Sequence, residues 1–269
     1  MSMYISTNLY NPGRLREVFQ LLDEIGDPLV GIELFPQWQS EVFCNELAKH
    51  MEDLTRHPIS LHGPYYCTEH SKPEGTEEYV RSMQYFYQTL QLSRRLKSKY
   101  IVYHHNNCLV EPERRDEMIS VSTENLRKLR REAKHFNAQI VIENAGVLSR
   151  GNMLFDEEQF IRMALSMPES ILLDVGHAHA NGWNIGNVIA KLAHKIIAYH
   201  VHNNDGCEDN HNRIHEGTLD FAQILALYQK HTPQADIVIE YGPQYAHDRD
   251  GIIQDVTYIN KVLNCRQTA

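Results

Sequence analysis

Eight short apolar runs recur along the chain, each separated from the next by a longer segment with a polar face. This alternation limits the possible folds more than any other feature of the sequence. The runs are MYIST (3–7), LVGIELF (29–35), ISLHG (59–63), YIVYHH (100–105), QIVIEN (139–144), ILLDVGH (171–177), IIAYHVH (196–202) and DIVIEYG (236–242). They are rich in β-forming residues and read as strands. Between them lie helical stretches such as GRLREVFQLLDEIG, EEYVRSMQYFYQTLQLSRRLKS and ENLRKLRREAKHFN. The last places apolar residues at helical spacing with charges on the other face. Turn residues at Asn11-Pro12-Gly13, Gly75-Thr76, Gly182 and Asp220 mark starts and stops. Strand–helix units of roughly thirty residues, repeated eight times, are what a parallel (β/α)8 barrel requires. A doubly wound open sheet alternates too, but with fewer strands. No linker or composition shift divides the chain, so the expectation is an α/β protein: a single TIM barrel over residues 1–269.

Bulk properties exclude several classes. With 42% hydrophobic and 23% charged residues, the chain is neither disordered nor collagen-like. No apolar run approaches the ~18–20 residues needed to span a bilayer, and MSMYIST lacks the basic start and apolar stretch of a secretory signal. Five cysteines (Cys44, Cys67, Cys108, Cys207, Cys265) without close pairing suggest reduced thiols and a cytoplasmic location. A net charge of −9 argues against a general nucleic-acid binder.

The 16 histidines matter because they are patterned. Barrel enzymes carry their chemistry at the carboxyl ends of strands. That edge holds His62 after the third run, His104 and His105 after the fourth, and Glu143 after the fifth. Asp174 and His177 follow the sixth, His202 the seventh and Glu240 the eighth. A lone buried histidine is usually a hydrogen-bonded core residue, but six successive strands delivering an imidazole or carboxylate to one rim is not chance. Converging carboxylates repel and carry a desolvation cost that a divalent cation removes. A mixed His/Asp/Glu set suits Zn, Mn, Fe or Co. Asp209 and His211 lie two apart in the loop after His202, as a ligand pair can. His200 shares a strand face with His202 and reads as a barrel-interior or supporting residue. Tyr65, Tyr66, Trp38 and Trp183 lie in rim loops where they could stack on a sugar or base, or simply pack. His215 and Glu216 are further candidates for substrate contact. The cysteines near strand ends read as bystanders, and the glycines form no phosphate-loop or dinucleotide fingerprint.

HGPYY (62–66), VYHHN (102–106), VIENAG (141–146), LLDVGHAHANG (172–182), HVHNNDG…DNH…HEGTLDF (200–221) and VIE (238–240) together resemble the xylose isomerase-like barrel superfamily. This group includes endonuclease IV, sugar isomerases and ketose 3-epimerases. The resemblance implies one to three divalent ions. On the trinuclear pattern of endonuclease IV, His62 and His104 would hold one ion with Glu143, which bridges to a second completed by Asp174, His202 and Glu240. His177, Asp209 and His211 would hold the third. His104 is preferred to His105 because it directly ends the apolar strand. Ketose 3-epimerases use Glu143, Asp174, His202 and Glu240 around a single ion.

Two chemistries follow from the resemblance. An isomerase or epimerase of a sugar or sugar phosphate would use Glu143 and Glu240 to move a proton beside a polarised carbonyl, with His177 and His215 among the groups contacting substrate. The Arg that many ketose 3-epimerases place six residues after the seventh-strand His is absent; position 208 is Glu. A phosphodiesterase would use the full ligand set. DNA, however, needs cations near its phosphates. No Lys or Arg occurs between residues 18 and 48, and the loop after the seventh strand offers only Arg213. The expected partner is therefore a small polyhydroxylated substrate rather than nucleic acid.

Overall fold

The structure, a computed structural model, describes residues 1–264. Its eight strands are β1 (Met3–Ser6), β2 (Val30–Leu34), β3 (Ile59–Leu61), β4 (Ile101–Tyr103), β5 (Ile140–Glu143), β6 (Ser170–Asp174), β7 (Ile196–Val201) and β8 (Asp236–Ile239). Every neighbouring pair is parallel, and β1 pairs with both β2 and β8, closing a barrel in sequence order. The expected (β/α)8 architecture is therefore present, with each strand inside its apolar run except β6, which starts one residue earlier at Ser170. Cys44, Cys67, Cys108 and Cys207 are free thiols; Cys265 lies outside the described residues. No described helix is long and apolar enough to cross a membrane.

Local sequence explains the helices. Arg16–Ile25 buries Val18, Leu21 and Leu22, one stripe at helical spacing, and stops at Gly26, whose φ of +67° is left-handed. Arg115–Phe136 begins nine residues before the expected ENLRKL segment. Its first turns bury only Met118 and Ser122, a face too polar to stand out as apolar periodicity.

Two layers of side chains position the site. Most of the core lies between strands and helices, while Tyr100, Val102, Val141, Leu172 and Ala198 form a separate cluster filling the barrel interior. Side chains alternate along a strand. The inward Val102, Val141, Leu172 and Ala198 therefore carry His104, Glu143, Asp174 and His200 to the inside one step higher. By the same parity Tyr103 and His105 face outward.

His105 is thus a core residue. It packs at 5.2 Å from Tyr103 and 5.1 Å from Phe155. His70 sits 4.7 Å from the other side of Tyr103. Neither imidazole has a hydrogen-bond partner on either nitrogen. Burial pushes both down to about 3, so the folded protein keeps them neutral while the unfolded chain protonates them below about 6.5. The contribution of this pair is flat above pH 6.5, and it destabilises the fold increasingly as pH drops from 6.5 towards 3. The expected loss is about 1.4 kcal/mol per pH unit for each residue, or roughly 4 kcal/mol for the pair at pH 5. Denaturant titrations across this range check it, and His70→Asn should reduce the slope by one proton.

Candidate metal centre

Three histidines, at the ends of β3 and β4 and in the loop after β7, are each held in one tautomer. His62 donates from Nδ1 to the Gly63 carbonyl at 2.7 Å, His104 to Asn107 Oδ1 at 3.0 Å, and His211 to the Glu240 carbonyl at 2.8 Å. Each therefore turns Nε2 towards the carboxylates, with His104 Nε2 2.9 Å from Glu143 Oε2 and His211 Nε2 3.2 Å from Asp209 Oδ1, the orientation a ligand needs. Asn107 is pinned in turn: its amide donates to the Tyr65 and Thr68 carbonyls. The buried Glu69 carboxylate accepts the backbone N–H groups of Ser71, Asn107 and Cys108, tying the loops after β3 and β4 together. Glu143 lies at the centre, with His104 Nε2 at 2.9 Å, His177 Nδ1 at 3.2 Å and His62 Nε2 at 3.9 Å.

The Asp174-x-x-His177 spacing is a helix N-cap. Asp174 ends β6, and its Oδ1 accepts the His177 N–H at 2.6 Å to start the helix Val175–Ala180. His177 is thus a first-turn helical residue, not the end of a strand as its sequence suggests. The other oxygen, Oδ2, remains for His202 Nε2 at 3.2 Å. Gly176 makes room for that imidazole: a Cβ there would lie 2.0 Å from His202 Cε1.

The polar stretch after β7 folds back over its own strand. Asn203 and Asn212 exchange backbone hydrogen bonds, and the Asn203 side chain grips Ile214, Leu219 and Asn204. The asparagines are thus a loop scaffold, and they return Asp209 and His211 to the site. His211 stacks on His202 at 4.0 Å with its Nε2 3.2 Å from Asp209 Oδ1, while His177 Nε2 approaches Asp209 Oδ2 at 3.5 Å.

All nine expected ligands converge here. Ligand atoms of His62, His104 and Glu143, those of Asp174, His202 and Glu240, and those of His177, His202, Asp209 and His211 form three groups, each within 4.8 Å. Tyr65 joins Phe35 and Tyr66 in the wall of a cavity of about 190 Å3 above them. Trp38, Trp183 and His215 do not line it. The Trp38 indole donates to Thr89 Oγ1 and packs on Phe43; Trp183 packs on Phe160; His215 is exposed beside Tyr258. Both indoles thus have structural partners away from this cavity. Arg213, the cation expected near a phosphate, is consumed by Asp248, Asp255 and the Gly251 carbonyl.

Two contributors were not singled out from the sequence. Glu33 of β2 is fully buried beneath the site against His200. Arg150, in the loop after β5, donates to Asp209 Oδ2 and its carbonyl and, among the described residues, is the one Lys or Arg lining the cavity. Glu33 carried a signal: it is the one carboxylate inside its apolar run. Arg150 had none, because only the fold bends its loop over the mouth.

Burial alone raises the Glu143 carboxyl, but His104 and His200 outweigh it and hold Glu143 well below the usual range. Burial pushes Glu240 up to about 7, against His200 and His211, with Glu143 and Glu33 adding to the rise. Burial, and the imidazoles set against the carboxylates, thus decide the electrostatics of the site. Asp209 Oδ1, His177 Nδ1, His200 Nδ1 and His202 Nδ1 are buried without hydrogen-bond partners. Orphaned donor atoms among crowded carboxylates are what a divalent cation satisfies, so the residue set fits one.

A family model described as xylose isomerase-like TIM barrel matches residues 19–262. The structure is similar to that of the IOLI protein with a bound zinc atom, with a TM-score of 0.77 at 18% identity over 98% of each chain. It is also similar to a D-psicose 3-epimerase with D-tagatose from Clostridium cellulolyticum H10, with a TM-score of 0.74 at 13% identity over 98% of this chain and 100% of the other. At these identities the likeness is one of fold. An uncharacterized protein of Methanocaldococcus jannaschii is 27% identical over 140 residues, 52% of this chain. The match spans about half that relative's length, 54%.

Proposed function

The chain belongs to the xylose isomerase-like TIM-barrel family, and from that premise we propose a divalent-metal-dependent isomerase or epimerase acting on a small sugar or sugar phosphate. The observation that carries this reading is the pair Glu143 and Glu240. They come from strands three apart in the barrel, yet each places an oxygen within 3.4 Å of the same His200 nitrogen. His62, His104, Asp174, His177, His202, Asp209 and His211 would hold the cation with them. When bound there, a divalent cation would supply Lewis-acid polarisation of a carbonyl and so acidify the neighbouring C–H. Glu143 removes that proton and Glu240 delivers one from the other side. Phe35, Tyr65 and Tyr66 give the sugar an apolar wall, and Arg150 offers hydrogen-bond donors at the rim. A cavity of about 190 Å3 is smaller than the ~300–1,000 Å3 of drug-sized sites, which favours a small substrate over a polymer. The zinc and D-tagatose named with the two similar structures support this class.

One observation favours a second reading. The His177, His202, Asp209 and His211 group is a complete ligand set in its own right, which a one-ion epimerase does not need and a multi-ion phosphoester hydrolase does. The sequestered Arg213 weighs against DNA as that substrate. Incubation in deuterated water with ketoses and their phosphates separates the two. Deuterium entering the carbon next to the carbonyl, with no phosphate released, is expected. Phosphate release without exchange would give the site to the hydrolase.

A further inference from the structure

We propose that the substrate is a phosphorylated sugar whose phosphate monoester is held at the cavity rim by Arg150 and Tyr65, while its carbonyl end faces Glu143 and Glu240. This rests on the isomerase reading above and narrows its substrate class. The floor of the cavity is made of carboxylates and imidazoles. The rim is different in kind. Arg150 from the loop after β5, Tyr65 from the loop after β3, and Asn152 all line the cavity. Arg150 spends one N–H of each terminal nitrogen on Asp209, at 3.1 Å to Oδ2 and 2.8 Å to the carbonyl. A guanidinium carries five N–H donors. Three therefore remain, on a side chain that is 50% exposed.

The Tyr65 ring is fixed edge-on against Tyr66 and His104, and its hydroxyl meets no acceptor among the described residues. Arg150 stands near enough for its charge to offset part of the rise that burial imposes on that hydroxyl. Asn152 is oriented the same way: its Oδ1 accepts the Val147 N–H at 2.9 Å, which leaves its NH2 as the free end. Asp209 does not exhaust the guanidinium, because His177 and His211 approach the same carboxylate at 3.5 and 3.2 Å from the floor. Free donors gathered at one rim are completed by a group that only accepts. A phosphate monoester is such a group, and Arg matches its geometry. Donors arriving from loops two strands apart suit three oxygens in a tetrahedral spread better than the two of a planar carboxylate. The phosphate is then a handle away from the reacting carbons. In a phosphoester hydrolase it would sit on the floor instead, against the metal ligands.

Titration calorimetry of the metal-loaded full chain tests this with probes that cannot isomerise: a hexitol, its terminal phosphate and the matching aldonate. The phosphate is expected to bind about 10–100-fold more tightly than the free hexitol, the worth of hydrogen bonds to a charged group. Arg150→Gln should remove most of that preference. Tyr65→Phe, which leaves Asp209 untouched, should reduce it severalfold. Metal content is measured for each variant, since a loss acting through Asp209 lowers both affinities together. A preference that survives Arg150→Gln places the phosphate elsewhere and overturns the subsite. An equal loss for phosphate and free hexitol reduces Arg150 to a support for Asp209 and also overturns it. An aldonate bound more tightly than the phosphate overturns the choice of phosphate. All three leave the isomerase reading standing. Inorganic phosphate released from the ester overturns that reading and the subsite with it.

Discussion

Glu143→Gln and Glu240→Gln are each expected to abolish turnover, by at least about 10³-fold, and to lower the metal content of a protein that remains folded. Loss of general acid–base catalysis accounts for ~10²–10⁴-fold alone. The cation is a second loss. Glu143 is the hub of the site, with His62, His104, His177 and His200 all within 3.9 Å. An amide keeps its shape but removes the charge that balances a cation. The fold tolerates the change because the amide keeps the shape of the carboxylate and removes a buried charge, and burial is also what pushes the neighbouring Glu240 carboxyl up to about 7. Steady-state rates and elemental analysis are measured together. Unchanged metal content in both variants would show that these carboxylates are not the core of the centre.

The second large effect concerns the loop after β7. Asp209→Ala combined with His211→Ala should cost one ion per chain in metal-replete buffer. Asp209 receives Arg150 on Oδ2 and leaves Oδ1 buried without a hydrogen-bond partner, facing His211 and His202. His211 adopts a left-handed φ of +50° to turn its ring onto His202. That conformation is uncommon for a non-glycine residue, and here it comes with a ring aimed at Asp209 and stacked on His202. Stoichiometry equal to the parent's, with a sugar still exchanging its proton, would return both residues to the role of polar loop.

Strand periodicity made the barrel readable, because a buried parallel strand writes its position as a compact apolar run. The rim ligands were readable for the same reason: each follows its run at the parity the barrel interior requires. The parity argument also separates His104 from His105, whose ring is buried between Tyr103 and Phe155. What sequence left out depends on layers and loop paths. Glu33 stands out as the one carboxylate in its apolar run, but only the barrel shows that β2 places it against His200. Arg150 lies in a segment whose return over the mouth is set by Asn181, which accepts from the Leu148 N–H and donates to the Gly146 carbonyl. Trp38 and Trp183 do not line the cavity, because ring direction in a loop is decided by whichever partner packs there.

The central claim is that this barrel mouth is built around divalent cations. Elemental analysis of protein purified without added metal tests it most directly, repeated after equilibration with excess zinc, manganese or cobalt and desalting. The account predicts at least one tightly held ion per parent chain, and less in Glu143→Gln. A parent chain that remains metal-free after equilibration with each of these ions would contradict it.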